Sequence, residues 1–223
     1  MPTSSPSALP ARQRRKEARP QELLDAALAL FVEKGFAATR SEEVAALAGV
    51  SKGTLYLYYP SKEELLKAVI RHNLSRILAD GRNIAEGFEG PTSELLSTLL
   101  RTWWEQVGAT PAGGIHKIMM SEARNFPEIA EFYTREVILP ARELISKTIQ
   151  RGVDSGEFRK VSPPEVTHVL IAPLIFLALH KHSFGACPMA VNTIEPHQVI
   201  EAQIDIVLRG LQLRDPLPSD THP

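Results

Sequence analysis

A single cysteine, Cys187, is present among 223 residues. One thiol excludes an intrachain disulfide and a cysteine-rich zinc site, and it suits a reducing, cytoplasmic setting. An excess of positive charge is also missing. Lys and Arg number 25 against 26 Asp and Glu, for a net charge of −1. The chain as a whole is therefore no polybasic nucleic-acid binder, and any attraction for phosphate must come from local asymmetry. The longest apolar run, residues 169–179, falls short of the roughly 20 residues that a membrane helix needs, so no membrane is expected. No apolar segment follows the charges at 12–19, so no signal peptide is expected. No window alternates apolar and polar residues with a period of two, which argues against strands.

Catalytic signatures are lacking as well. There is no His-Glu-x-x-His, no glycine-rich phosphate loop and no nucleophile elbow. His180 and His182 are two apart and point to different helix faces, which makes them poor metal ligands. The carboxylate pairs Glu42–Glu43 and Glu63–Glu64 sit at helix starts, where the helix dipole accounts for them. No enzyme, cofactor or metal is expected.

What is present is helical periodicity, and 43% of the residues are hydrophobic, enough for a real core. Nine helices are expected, at about 20–35, 41–48, 51–60, 61–80, 92–107, 115–125, 127–152, 162–181 and 197–211. Pro20 suits a first helical position, where its missing N–H has no partner to lose. Thr39 with Glu42, and Ser61 with Glu64, have capping-box spacing. Pro140 predicts a kink inside the seventh helix. Ser162-Pro163-Pro164-Glu165 is a strong helix start. The fold class is all-α. The expected organisation is a basic, disordered tail over 1–19, a three-helix DNA-binding domain over 20–66, a helical effector and dimerisation domain over 67–211, and a flexible tail over 212–223. Cys187 falls in a loop and reads as a passive thiol.

The densest signal lies in ATRSEEVAALAGVSKGTLYLYYPSKEELL, which begins at Ala38. Two short helical patterns are joined by the turn Ala48-Gly49-Val50, as in a helix-turn-helix, and this points to duplex DNA. Ser51 caps the second of these helices, so Lys52, Gly53 and Thr54 lie at its N-terminus, where backbone N–H groups favour phosphate. Gly53 permits close backbone approach. Lys52 and Thr54 can reach base edges or phosphates, and the Tyr56 and Tyr58 hydroxyls can reach phosphates. Lys62 and Arg40 add positive charge at neighbouring helix starts, and Leu55 and Tyr59 are expected to pack inward. The arginines and lysine at 12–19 are read as a solvated terminus or as a groove-contacting arm.

This stretch, with the preceding ALALFVEKGFAATR, resembles the N-terminal DNA-binding domain of the TetR/AcrR family of bacterial transcriptional regulators. The resemblance covers about residues 20–68. It implies that the third helix enters the major groove and that the start of the fourth contacts phosphate. The matching positions are Lys52, Gly53, Thr54, Tyr56, Tyr58 and Lys62, with Thr39 and Arg40 opening the second helix. Tyr59 stands where the family usually has Phe, so its hydroxyl needs a polar exit. Ser41 stands where an apolar residue is usual.

Beyond residue 85 the resemblance is one of architecture. Helix 165–181 is apolar on nearly all sides and must be covered. The family's dimeric four-helix contact implies a homodimer through Val169, Leu170, Leu174 and Leu177 with Ile200, Ile204, Val207, Leu208 and Leu211. The last five share one face of the final helix. A ligand cavity is expected among the central helices. His116, Met120 and Arg124 share a face there, and Trp103 or Trp104, Phe126, Tyr133, Val137, Phe176 and His180 can join the wall. Such a lining suits a small hydrophobic or amphipathic molecule. The expected function is a dimeric regulator, a repressor released from a near-palindromic operator by a small ligand. The alternatives are a regulator that needs no ligand or that activates, and a carrier or enzyme whose helical head is incidental.

Overall fold

The computed structural model describes residues 11–185 and 195–212, with side chains from Arg19 onward. Cys187, residues 1–10 and most of the C-terminal tail lie outside the described residues. Among the described residues there are nine continuous helices and no strand. They are α1 (Ala11–Lys34), α2 (Ser41–Leu47), α3 (Lys52–Tyr58), α4 (62–87), α5 (92–108), α6 (Gly114–Glu122), α7 (127–154), α8 (Pro163–Phe184) and α9 (Pro196–Leu211).

Helix α1 starts earlier than the sequence predicts. Pro20 lies within it, and the backbone of 11–19 is helical, where an unstructured arm was expected. Alanine, arginine, glutamine, lysine and glutamate dominate this stretch, all strong helix formers, and they offset one missing N–H. The cap of α2 also differs by one position. Arg40 is the N-cap, and its backbone N–H donates to the Glu43 carboxylate at 3.0 Å. Ser51 caps α3 by accepting the Thr54 N–H at 3.1 Å, and Ser61 caps α4 by accepting that of Glu64 at 3.1 Å. The turn between α2 and α3 needs a left-handed residue, and Gly49 supplies it with φ +66°.

The chain divides into two compact units, Met1–Val69 and Ile70–Pro223. In the first, α1 packs on α2 and α2 on α3, and Leu23, Ala27 and Phe31 of α1, Val44 and Ala45 of α2, Leu55 of α3, and Leu65 and Leu66 of α4 are all buried. Phe31 and Phe36 meet edge to face at 5.3 Å between ring centroids. The Tyr59 hydroxyl finds its polar exit in a long hydrogen bond to the Pro20 carbonyl, 3.4 Å.

In the second unit, α8 packs against α6, α7 and α9, and α5 packs against α7 and α9. Trp104, Leu95, Leu96, Ile149, Leu170, Leu174, Leu177, Ile200 and Ile204 form the core. The N-terminus of α5 is capped from a distance. Glu157 accepts the N–H groups of Thr92 at 2.6 Å and Ser93 at 2.8 Å. Arg151 donates to the carbonyls of Phe88 and Gly90, closing the loop before α5. Three helices carry a π-helical turn: α4 over Arg71–Ser75, α5 over Trp104–Gly108 and α7 over Thr134–Ile138. In α7 the wide turn directly precedes Pro140, so the irregularity expected at that proline is taken up by an altered helical pitch.

Helix α8 is longer than its apolar run suggested. An 18-residue stretch within its 22 residues reaches a mean hydropathy of 1.3, enough to cross a membrane by length and composition alone, yet Leu170, Leu174, Leu177 and Ala178 are buried in the protein core. The side facing away from that core stays apolar and exposed, with Val169, Phe176 and Phe184. On α9 the exposed apolar residues are Val199 and Ile206.

Candidate functional site

In the first unit, α3 is held by one buried side chain, Leu55, and turns the rest of its surface outward. Lys52, Gly53, Tyr56 and Leu57 are exposed, and Thr54 and Tyr58 are half-buried. The Thr54 hydroxyl lies 2.9 Å from that of Ser51, which fixes the first turn. Lys52 pairs with the Glu42 carboxylate on α2, which raises the lysine's pKa and lowers the glutamate's, while its ammonium stands 5.7 Å from the Tyr56 ring centroid. The pair is exposed on both sides, so it orients the lysine with little gain in stability.

Gly53 is informative through what it does not touch. A Cβ built on it meets only the Ser51 hydroxyl at 3.8 Å. Its φ lies outside the left-handed region. A glycine inside a helix costs roughly 1 kcal/mol relative to alanine. Neither packing nor backbone geometry among the described residues asks for that cost.

Two of the expected contact residues are spent internally. Thr39 is 1% exposed, and its hydroxyl donates to the carbonyls of Gly35 at 2.7 Å and Leu30 at 3.2 Å. It ties down the C-terminal end of α1 and is itself buried. Lys62 donates to the carbonyls of Phe36, Ala37 and Thr39 at 2.9, 3.2 and 3.1 Å, with its ammonium 4.6 Å from the Phe36 ring centroid. These bonds hold the loop between α1 and α2 against the start of α4. Arg40 stays exposed. Leu57, at 82% exposure, was not singled out in the sequence. The period of α3 identifies Leu55 as its inward leucine, and the same period turns Leu57 outward.

In the second unit, a cavity of about 600 Å³ opens among α4, α5, α6, α7 and α8. Its wall includes Trp103, His116, Met120, Tyr133, Val137 and Phe176 from the expected set. Trp104 is instead in the core, its ring edge-on to His197. Arg124, Phe126 and His180 are not in the wall. Helix α6 ends at Glu122, so Arg124 does not continue the face of His116 and Met120. Phe126 is the N-cap of α7. His180 lies between Phe176 and Phe184, at 6.2 and 5.7 Å between centroids. The sequence reading missed Arg142 and His168, which reach the wall from α7 and α8. Nothing but tertiary packing pairs those two positions.

The polar groups of this wall are few and unusual. His116 is buried, with Nδ1 2.5 Å from the Tyr133 hydroxyl and the ring 5.6 Å from that of Trp103. Burial, helped by nearby His182, pushes the imidazole pKa down to about 4, and burial raises that of Tyr133. Both groups are therefore neutral at pH 7. Nε2 of His116 has no hydrogen-bond partner among the described residues. Among the described residues no cluster of His, Cys, Asp or Glu could hold a metal ion.

The residues expected at a dimer contact divide sharply. Leu170, Leu174, Leu177, Ile200, Ile204 and Leu211 are buried in the core of the subunit itself, and Val207 and Leu208 are half-buried against it. Val169 alone among the nine is exposed. An apolar helix has two sides, and the side carrying most leucines faces inward, while Val207 and Leu208 keep part of their surface outward.

Residues 23–69 match the model for bacterial regulatory proteins of the tetR family, and residues 89–185 match a tetracyclin repressor-like C-terminal domain. The HTH-type transcriptional regulator RutR of Escherichia coli K12 is 46% identical over 219 residues, 91% of this chain and 95% of that protein. The HTH-type transcriptional repressor KstR2 of Rhodococcus jostii is 29% identical over 198 residues, 88% of this chain and 92% of that one. Among solved structures, a transcriptional regulator from Saccharomonospora viridis in complex with choline superposes with a TM-score of 0.72 at 21% identity, covering 89% of this chain and all of that one. The last likeness concerns the fold.

Proposed function

The chain belongs to the tetR family of bacterial regulatory proteins, and on that footing we propose that it is a cytoplasmic repressor whose hold on operator DNA is set by a small molecule in the central cavity. The observation that carries the DNA side is α3: a capped helix anchored by Leu55 alone, with an exposed Lys52 and a glycine that nothing in the protein requires. Entering the major groove, it would offer Lys52, Gly53, Thr54, Tyr56 and Tyr58 to phosphates and base edges, with Arg40 beside them. Lys62 and Thr39 support this surface by fixing the loop between α1 and α2.

A single short helix reads too few base pairs for specificity, so two copies acting on half-sites roughly 34 Å apart, or at a related spacing, fit the task. The exposed apolar residues Val169, Phe176, Phe184, Val199 and Ile206 of α8 and α9 are the surface for a twofold contact between copies. Leu74, Ile77, Leu78 and Gly81 place α4 in the cavity wall, and the same helix begins at the Ser61 cap of the DNA-binding unit. A ligand that prefers one position of α4 would therefore favour one spacing of the two heads. It acts only through a difference in affinity between the two states.

Promoter fragments titrated over a salt series test the DNA side. Lys52→Ala should weaken binding and make the slope of log affinity against log salt shallower by about one phosphate contact, near 0.9. An unchanged slope and affinity would remove Lys52 from the interface. No sequence-specific retardation by the native protein would remove the reading altogether.

A further inference from the structure

Besides Thr102 and Thr167, two polar pairs interrupt the apolar wall of the central cavity, and the hydrogen bonds around each fix what it can offer. The first is the His116–Tyr133 pair. Tyr133 is a buried hydroxyl whose proton must be donated, and His116 Nδ1 is its partner. With Tyr133 as donor, Nδ1 is the acceptor, so the neutral ring carries its proton on Nε2. That N–H has no partner, and a buried donor left unmet is costly.

The second feature is Arg142, the only lysine or arginine in the wall. His168 Nδ1 lies 2.7 Å from the Pro164 carbonyl, which can only accept, so Nδ1 carries the proton. Nε2 of His168 is then a lone pair, and it accepts from Nη2 of Arg142 at 2.8 Å. The guanidinium is oriented by that lone pair, carries no ion pair among the described residues, and stands exposed at the cavity's edge. Tyr133 and Arg142 lie nine residues apart on α7, about 13 Å along the helix axis.

The geometry points to a ligand of defined polarity: a mostly apolar molecule that gives a carbonyl oxygen to His116 inside the cavity and an anionic group to Arg142 at its rim. This rests on the reading of the cavity as the effector site. A volume of about 600 Å³ suits a ligand long enough to bridge the two features. The carbonyl meets the unpaired Nε2–H, and the anion takes the N–H groups of Arg142 that His168 leaves free.

The test uses the full-length protein without DNA, reading quenching of Trp103, which lies in the wall. The probes are a long-chain carboxylic acid with a mid-chain ketone, the same acid without the ketone, and the methyl ester of the keto acid. The keto acid should bind about tenfold tighter than either relative, the usual scale for one satisfied hydrogen bond or one charge-assisted contact. His116→Phe should erase the ketone's advantage and keep that of the free acid, whereas Arg142→Gln should do the reverse. Tyr133→Phe leaves the imidazole in place and releases its tautomer, and it should shrink the ketone's advantage if His116→Phe does not fold. Equal binding of the three probes, binding of none, or equal loss for all three in each variant would overturn the assignment. Operator release is measured separately. A keto acid that binds as stated yet leaves DNA affinity unchanged would overturn the release mechanism and leave the ligand chemistry standing.

Discussion

At Gly53, function and stability pull apart. Replacing it with alanine adds a methyl that meets only ordinary contact and gains helix propensity. Gly53→Ala should therefore raise the unfolding midpoint slightly, by up to about 1 kcal/mol, while weakening operator binding. Denaturant unfolding and DNA titration on one preparation check both halves, and unimpaired DNA binding would sink the proposed role. His116 makes the second residue-scale prediction. Its pKa is near 6.5 when unfolded and about 4 when folded. Between those values the unfolded chain takes a proton that the folded one refuses. The stability tied to its neutrality is thus complete above pH 6.5 and is lost progressively as pH falls toward 4. The loss should reach roughly 3 kcal/mol at about 1.4 kcal/mol per pH unit. Urea unfolding from pH 7 to 4.5 should show a steeper fall for the native protein than for His116→Phe. Lys62 shows what a residue type leaves open: a lysine at a helix start reads as a phosphate contact, and here its ammonium also donates to three loop carbonyls.

The elements were legible wherever punctuation was local. Ser51, Ser61 and Gly49 mark the boundaries of α2, α3 and α4, because caps and left-handed turns depend on residues only three or four apart. The cap of α5 was not legible, since its acceptor, Glu157, is far away in sequence. Hydrogen bonds from Thr92 and Ser93 hold that carboxyl below its usual pKa. Its contribution is therefore complete above pH 4.5 and is lost as pH falls through the lowered value. Glu157→Gln keeps the shape and removes the charge that faces the helix dipole. It should cost about 1 kcal/mol at pH 7. The melting temperature over a falling pH series measures this, and the gap between the two proteins should narrow as pH drops below 4.5. The start of α1 at Ala11 and the wide turn before Pro140 have the same lesson: proline restricts a helix without fixing where it ends.

For the whole molecule, the apolar surface of α8 and α9 is the decisive feature. Phe176 is 58% exposed and Ile206 69%. Ile206→Glu, together with Val199→Glu, should convert a dimer into a monomer in sedimentation velocity. It should leave the far-ultraviolet circular dichroism unchanged, because neither side chain belongs to the core. Operator affinity should fall steeply with it, since two half-sites would no longer be held by one particle. A variant that still sediments as a dimer would place the contact elsewhere.

The sequence by itself determined the all-α class, the helix-turn-helix and most helix boundaries. Each of these follows from residues close together in the chain: an apolar period, a cap, a glycine in a turn. Only the tertiary structure decided which side of α8 faces the core and which of Trp103 and Trp104 reaches the cavity. It also decided that Thr39 and Lys62 bond to carbonyls at the end of α1 and in the loop that follows, and that Arg142 meets His168. Those outcomes depend on groups brought together from distant parts of the chain, and periodicity fixes a helix's faces without saying what each face will meet.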